Sequence, residues 1–300
     1  MEAVAAVPLP RRKGVGIGWT ASVIFLLALI VLASPPELTR SSSWGLIVVA
    51  PLLIVASIPI LRRQAIQDGD NRFFYFLLFA LILKLAGALV RRWVAVDLYA
   101  ERADVLGYDA SGLAVSEELR AGHFFVSIGT PEGFLGAVTG VVYTIIGTSL
   151  IGGYLFFSWL GFWGLLMMYR AFRIALPDGR GRTYARMLFL LPSLVFWPSS
   201  IGKEAFMMFA LGLAAYGVAR ILSGGILRGL PFLGFGLWLA TVVRPHIAFI
   251  AGLSLVFGAV VGRIRKRQRK LPLVVRVLTL VIVGGIGGVL LIKTGVFLEK

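Results

Sequence analysis

The chain is a succession of apolar runs separated by short polar breaks, and the length of each run decides what it can do. The first run, Gly16–Ala33, follows Arg11-Arg12-Lys13 and stops at Ser34-Pro35-Pro36, because proline cannot continue a helix. It is long enough to cross a bilayer, and no small-residue cleavage pattern closes it as a signal peptide. A second run, Trp44–Leu61, ends on Arg62-Arg63, and a third, Phe73–Val90, follows the polar stretch Gln64–Arg72. The next apolar stretch, Phe134–Arg170, is too long for one crossing and is split by Gly147-Thr148-Ser149. Two crossings here would place Arg170, Arg173, Arg180, Arg182 and Arg186 outside the cell, against the rule that cytoplasmic loops collect Lys and Arg. The pattern therefore predicts a short re-entrant or juxtamembrane helix over Phe134–Gly147, about 14 residues and so in the non-spanning range, and a span over Ser149–Tyr169. Further spans are expected over Met187–Trp197, Ala205–Val218, Leu230–Val243, Ile247–Val261 and Leu273–Ile292. The expectation is an all-α, polytopic transmembrane bundle of nine spans plus one helix that does not cross. Residues 1–300 then form a single transmembrane domain.

Composition sharpens this. The 300 residues are 58% hydrophobic and only 15% charged, with a mean hydropathy of +0.90. Soluble domains are about 45–50% apolar and about 25% charged, so an ordinary cytosolic enzyme and a disordered chain are both excluded. The absence of cysteine removes thiol catalysis, thiolate metal sites and disulfides. The net charge of +16 is read as topology and as contact with anionic lipid rather than as nucleic-acid binding. On that basis the N-terminus is cytoplasmic, and the basic composition points to a bacterial plasma membrane.

Charge also singles out one segment. Asp97, Glu101, Asp104, Asp109, Glu117, Glu118 and Glu132 are half of the 14 acids in the chain, and only Arg102 and Arg120 lie among them. Residues 91–133 are therefore expected as an acidic extracytoplasmic loop, with a short amphipathic helix over Leu113–Leu119.

On this layout the unusual polar groups fall on the outer side. Asp104, with Tyr108 four residues on, is placed to act as a general base on an acceptor hydroxyl. Glu101 and Asp109 flank it. Lys203-Glu204 follows Trp197, an interface anchor, and reads either as a phosphate contact or as a helix start with Glu204 on the dipole and Lys203 snorkelling. Arg244-Pro245-His246 sits at a turn with almost no loop, where polar groups are costly unless they face protein or water. Arginine there suits bidentate phosphate binding. Lys84 is the one charge inside an expected span and is either functional or a snorkelling side chain. His123 reads as an ordinary loop residue, and Gly14–Gly18 as the start of a helix, since no strand precedes it. No cluster has metal-ligand spacing, although Asp97, Glu101 and Asp104 offer oxygen ligands to a hard divalent ion.

The arrangement resembles the GT-C superfamily of polytopic glycosyltransferases, which use polyprenyl-phosphate-linked sugars. The segment Ala103-Asp104-Val105-Leu106-Gly107-Tyr108, followed by Gly112-Leu113-Ala114, is similar to the Asp-containing outer-loop motif of that family. Phe134–Gly147 is placed like one of its amphipathic helices. The runs Pro192–Trp197, Lys203-Glu204-Ala205 and Val243-Arg244-Pro245-His246 resemble bacterial membrane proteins of cell-surface polysaccharide assembly. The likeness covers residues 90–250. One departure is that the acidic motif follows the third span here and the first in many relatives. The resemblance implies a polyprenyl-phosphate sugar donor in the outer leaflet and a glycan, glycolipid or protein acceptor. It also implies Asp104 as the base, and Lys203, Arg244 and His246 on the phosphate. Glu101 or Asp109 would position the acceptor or a divalent cation. Two other readings of the same residues stay open: a lipid or glycan transporter using Lys84 and Arg244, and a non-catalytic subunit of an envelope-assembly complex.

Overall fold

The computed structural model describes residues 15–99, 104–123 and 130–261. Among these the chain is helical throughout, with no strand. In chain order the helices are α1 (Val15–Ala33), α2 (Pro36–Arg40), α3 (Ser42–Gln67), α4 (Arg72–Leu98), α5 (Asp104–Arg120), α6 (Pro131–Ile146), α7 (Leu150–Ala175), α8 (Gly181–Leu190), α9 (Pro192–Phe196), α10 (Lys203–Leu222), α11 (Ile226–Val243) and α12 (Pro245–Val261). Five of them, α3, α4, α7, α10 and α11, are long and apolar enough to cross a membrane. The helices α1, α6 and α12 are apolar but shorter over their described residues. The expected span over Leu273–Ile292 lies outside the described residues.

The sequence explains the boundaries. Pro35 and Pro36 stop α1 where expected. Ser149 caps α7, its hydroxyl accepting from the Gly152 N–H at 3.3 Å. Thr130 caps α6 in the same way through Gly133 at 3.0 Å, satisfying one of the orphan N–H groups of a helix start. Gly147 then ends α6 at φ 92°. Only glycine suits that turn: a Cβ there would lie 2.7 Å from Trp44 Nε1, whose N–H donates to the Ile146 carbonyl at 2.7 Å.

The expected span over Met187–Trp197 takes another form. It is two helices, α8 and α9, broken at Leu191, which is extended at ψ 119° ahead of Pro192. A residue before proline is pushed out of the α region. The broken pair runs beside α4 along most of its length. Arg182 stacks over Phe73 at 4.3 Å, Phe189 meets Phe76, and Lys84 reaches the Leu194 carbonyl at 2.6 Å. Finally Arg91 lies over Trp197 at 4.7 Å. Residues 73 to 91 of a helix rise about 27 Å, so α8 and α9 together follow α4 from one end of the bundle to the other.

The core is built around α7, the most enclosed of the five long helices. Its Ser158 hydroxyl donates to the Lys84 carbonyl of α4 at 2.8 Å, and Trp159 Nε1 donates to Ser57 of α3 at 2.8 Å. Against its other side lies α10, close enough that a Cβ on Gly164 would collide with the Met208 main chain, and one on Gly212 with the main chain of Gly164. In turn α10 meets α11 through Gly217 and Gly236, a Cβ on the latter falling 2.6 Å from the Ala214 nitrogen. Small residues bring backbones together where no side chain intervenes, which is how helices associate when lipid offers no hydrophobic gain.

Each end of the bundle has its own polar network. At one end Arg173 pairs with Asp68 at 3.1 Å, Arg170 donates to Gln64 at 2.6 Å, and Arg182 pairs with Asp70 at 2.5 Å. The other end carries Asp104, Lys203 and Arg244.

Candidate functional site

At that second end four helices, the turn before α10 and the junction of α11 with α12 line a cavity of about 320 Å³. Asp104 is the first residue of α5, where a carboxylate complements the helix dipole, and Tyr108 is one turn further on the same face. This corrects the expected short helix over Leu113–Leu119: it begins at Asp104 and runs for 17 residues, so Asp104 stands on a helix. Lys203 and Glu204 open α10, Arg244 joins α11 to α12, Arg91 lies in the last α-helical turn of α4, and Tyr154 is near the start of α7. The turn Trp197–Gly202 forms a wall. Just past Arg91, α4 changes to π geometry over Trp93–Leu98, a local distortion common beside functional sites, and Ala95 of that stretch lines the cavity.

Of the residues singled out from the sequence, Asp104, Tyr108, Lys203, Glu204 and Arg244 line this one cavity. Four others do not. Lys84 is 1% exposed and its ammonium donates to the carbonyls of Leu194 at 2.6 Å, Val195 at 3.4 Å and Pro198 at 2.8 Å. It neither snorkels nor faces the cavity. It caps the carbonyl end of the short helix α9, a role suited to a cation. His246 is exposed and is not part of the cavity wall. Asp109 accepts a hydrogen bond from the Tyr143 hydroxyl of α6. Glu101 lies outside the described residues. His123 pairs with Glu118 at 2.7 Å on the surface. Among the described residues no three acidic or imidazole side chains gather as a metal site.

The charges of the cavity are mostly accounted for. Lys203 donates to Glu132 at 2.6 Å and Arg244 to Glu204 at 2.5 Å. The Glu132 carboxyl is held below its usual range by the Lys203 hydrogen bond and by its own backbone N–H. Burial pushes the Tyr108 hydroxyl up, against the pull of Lys203. Among the described residues Asp104 and Arg91 have no ion-pair partner. Arg91 was not apparent from the sequence, although a signal existed: Arg91-Arg92 ends a span on the acidic side, where the topology rule expects few bases. Tyr154 carries no sequence signal, since a tyrosine in an apolar run looks like core.

Burial raises the Asp109 carboxyl above the ordinary aspartate range, with the Tyr143 hydrogen bond and Arg40 opposing it. A carboxyl with a raised folded-state pKa favours the folded state while protonated, and stability falls as pH climbs from the unfolded value through the raised one. Asp109→Asn keeps an oxygen for Tyr143 and removes the buried charge. The variant is expected to melt higher than the parent at pH 7.5, with the gap closing below pH 4. A midpoint lower than the parent at pH 7.5 that recovers below pH 4 would show that the ionised carboxylate stabilises α5 against α6.

No protein-family model, no curated protein and no solved structure matches this chain.

Proposed function

We propose that the chain is a multi-pass membrane glycosyltransferase of the GT-C type. It would move a sugar from a polyprenyl-phosphate donor to a glycan, glycolipid or protein hydroxyl at the extracytoplasmic face of a bacterial plasma membrane, with its N-terminus cytoplasmic. The observation that carries this reading is the convergence of Asp104, a carboxylate with no ion-pair partner among the described residues, with the cations Arg91, Lys203 and Arg244 around one cavity. In the reaction an acceptor oxygen attacks the anomeric carbon as the bond from that carbon to the phosphate oxygen breaks. The acceptor proton passes to the Asp104 carboxylate, and the electron pair leaves with the lipid phosphate. That group departs as a stable anion beside cationic side chains, so no strong acid is required. Attack opposite the leaving group inverts the anomeric configuration.

The transporter reading needs Lys84 as a substrate contact, and its ammonium is already occupied by three carbonyls. The test is turnover by the purified protein in proteoliposomes, with radiolabelled polyprenyl-phosphate sugars and a mixed pool of glycan and glycolipid acceptors. Label is expected to move to an acceptor with release of polyprenyl phosphate. Movement of intact donor across the bilayer without bond cleavage would overturn the reading in favour of a flippase.

A further inference from the structure

Two polar side chains at the cavity have unmet hydrogen-bonding capacity. Tyr154 is fully buried, and its hydroxyl has no hydrogen-bond partner among the described residues. The Nε of Arg91 is likewise buried and unbonded. A buried hydroxyl or guanidinium N–H left without an acceptor costs about 1–3 kcal/mol, and such orphans in a cavity mark a place where something else supplies the acceptor. The two residues line the same cavity. The guanidinium of Arg91 is held by rings rather than by acids, 4.7 Å over Trp197 and 5.1 Å over Phe196. Aromatic faces orient a guanidinium without consuming its donors. The other two cations are committed, Lys203 to Glu132 and Arg244 to Glu204.

We propose that Arg91 and Tyr154 form a phosphate-binding subsite, taking the phosphate monoester of a lipid, while Lys203 and Arg244 serve as ion-paired posts of the cavity wall. Arg91 offers several N–H donors in a plane and Tyr154 one O–H. A phosphate monoester presents enough oxygens to accept from both at once. The identification of the lipid rests on the glycosyltransferase reading. Phosphate binding itself does not, because it requires no turnover.

The experiment measures binding by calorimetry to the purified protein in nanodiscs, with three probes: farnesyl phosphate, farnesol and inorganic phosphate. Farnesyl phosphate is expected to bind and farnesol to bind at least tenfold more weakly, the difference being charge-assisted hydrogen bonds. Arg91→Met is expected to weaken farnesyl phosphate at least tenfold, and Tyr154→Phe about threefold to tenfold. Lys203→Met and Arg244→Met should weaken it less than Arg91→Met does. Tyr154→Phe removes one atom from a packed ring and keeps the fold, so it decides the matter if Arg91→Met does not fold. Unchanged affinity in Tyr154→Phe, or a loss confined to Lys203→Met or Arg244→Met, would overturn the assignment. Inorganic phosphate binding as tightly as farnesyl phosphate, with the same dependence on Tyr154, would keep the subsite and reject the lipid as its source. Binding that follows Arg91 and Tyr154 in a protein that transfers no sugar keeps the subsite and removes the glycosyltransferase. Transfer that proceeds with Tyr154→Phe binding normally does the reverse.

Discussion

Asp104→Asn is expected to lower sugar transfer by a factor of about 10²–10⁴, the usual loss on removing a positioned general base. Yield and melting temperature should be little changed. The side chain is exposed at the first position of α5 and makes no hydrogen bond or ion pair among the described residues, so an amide loses only the small contribution of one exposed charge to the helix dipole. Asparagine has the same shape, but its amide cannot take a proton from the acceptor. Asp109→Asn is the control within the same helix. It removes a carboxylate that faces Tyr143 rather than the cavity, and its transfer rate should stay within a few-fold of the parent. Measured rates of donor consumption for the three proteins, in the same vesicles, check the pair. Normal turnover by Asp104→Asn would remove Asp104 as the base. Equal losses in both variants would show that acidity of the segment matters, not one position in it.

The second large effect is on the fold. Gly212→Ala is expected to leave little folded protein, because the added Cβ would meet the main chain of Gly164, which has no rotamer to change. The clash can be relieved only by parting α7 from α10. Overpacking alone costs about 1–3 kcal/mol, occasionally more, and parting the helices also loosens the close contact between α7 and α10. Net stabilities are about 5–15 kcal/mol, so a loss at the upper end removes most of the folded population. Gly234→Ala in α11 is the matched control. A Cβ there meets nothing within 4 Å, and alanine is better than glycine in a helix interior by about 0.5–1 kcal/mol. Size-exclusion profiles and thermal melts in detergent should give an aggregated or absent peak for Gly212→Ala and a peak like the parent's, or sturdier, for Gly234→Ala. A monodisperse Gly212→Ala protein with the parent's melting point would refute the close approach.

Much of this was legible along the chain because it depends on local pattern. Apolar runs of bilayer length became α3, α4 and α7, and the prolines at positions 35 and 36 ended α1. The side of the bundle shared by Asp104, Lys203 and Arg244 followed from alternation of the runs. What was not legible depends on partners distant in sequence. Lys84 reads as a lone charge until the carbonyls of Leu194, Val195 and Pro198, 110 to 114 residues away, are brought to it. Arg91 reads as a topology signal until its neighbours prove to be rings rather than acids. The helix from Asp104 was shortened in the sequence reading because polar and small residues there mask its period. It forms because α6 lies against it, with Gly112 and Gly136 giving room to Thr139 and Ser111. The break at Leu191 had a visible cause in Pro192, but a proline near the middle of an apolar run does not say whether the run bends, stops or crosses.

The Lys84 cap has a consequence for how the cavity meets a ligand. The turn that supplies the wall at Ser200, Ile201 and Gly202 is anchored just behind, at the Pro198 carbonyl, by a side chain rooted in the buried middle of α4. Ordering a loose segment at the moment of association costs free energy that is subtracted from affinity. Here that ordering belongs to folding, and the ligand meets a wall already in position. Selectivity at this wall is then governed by how well a guest matches a shape that does not yield, rather than by how far the wall will close around it.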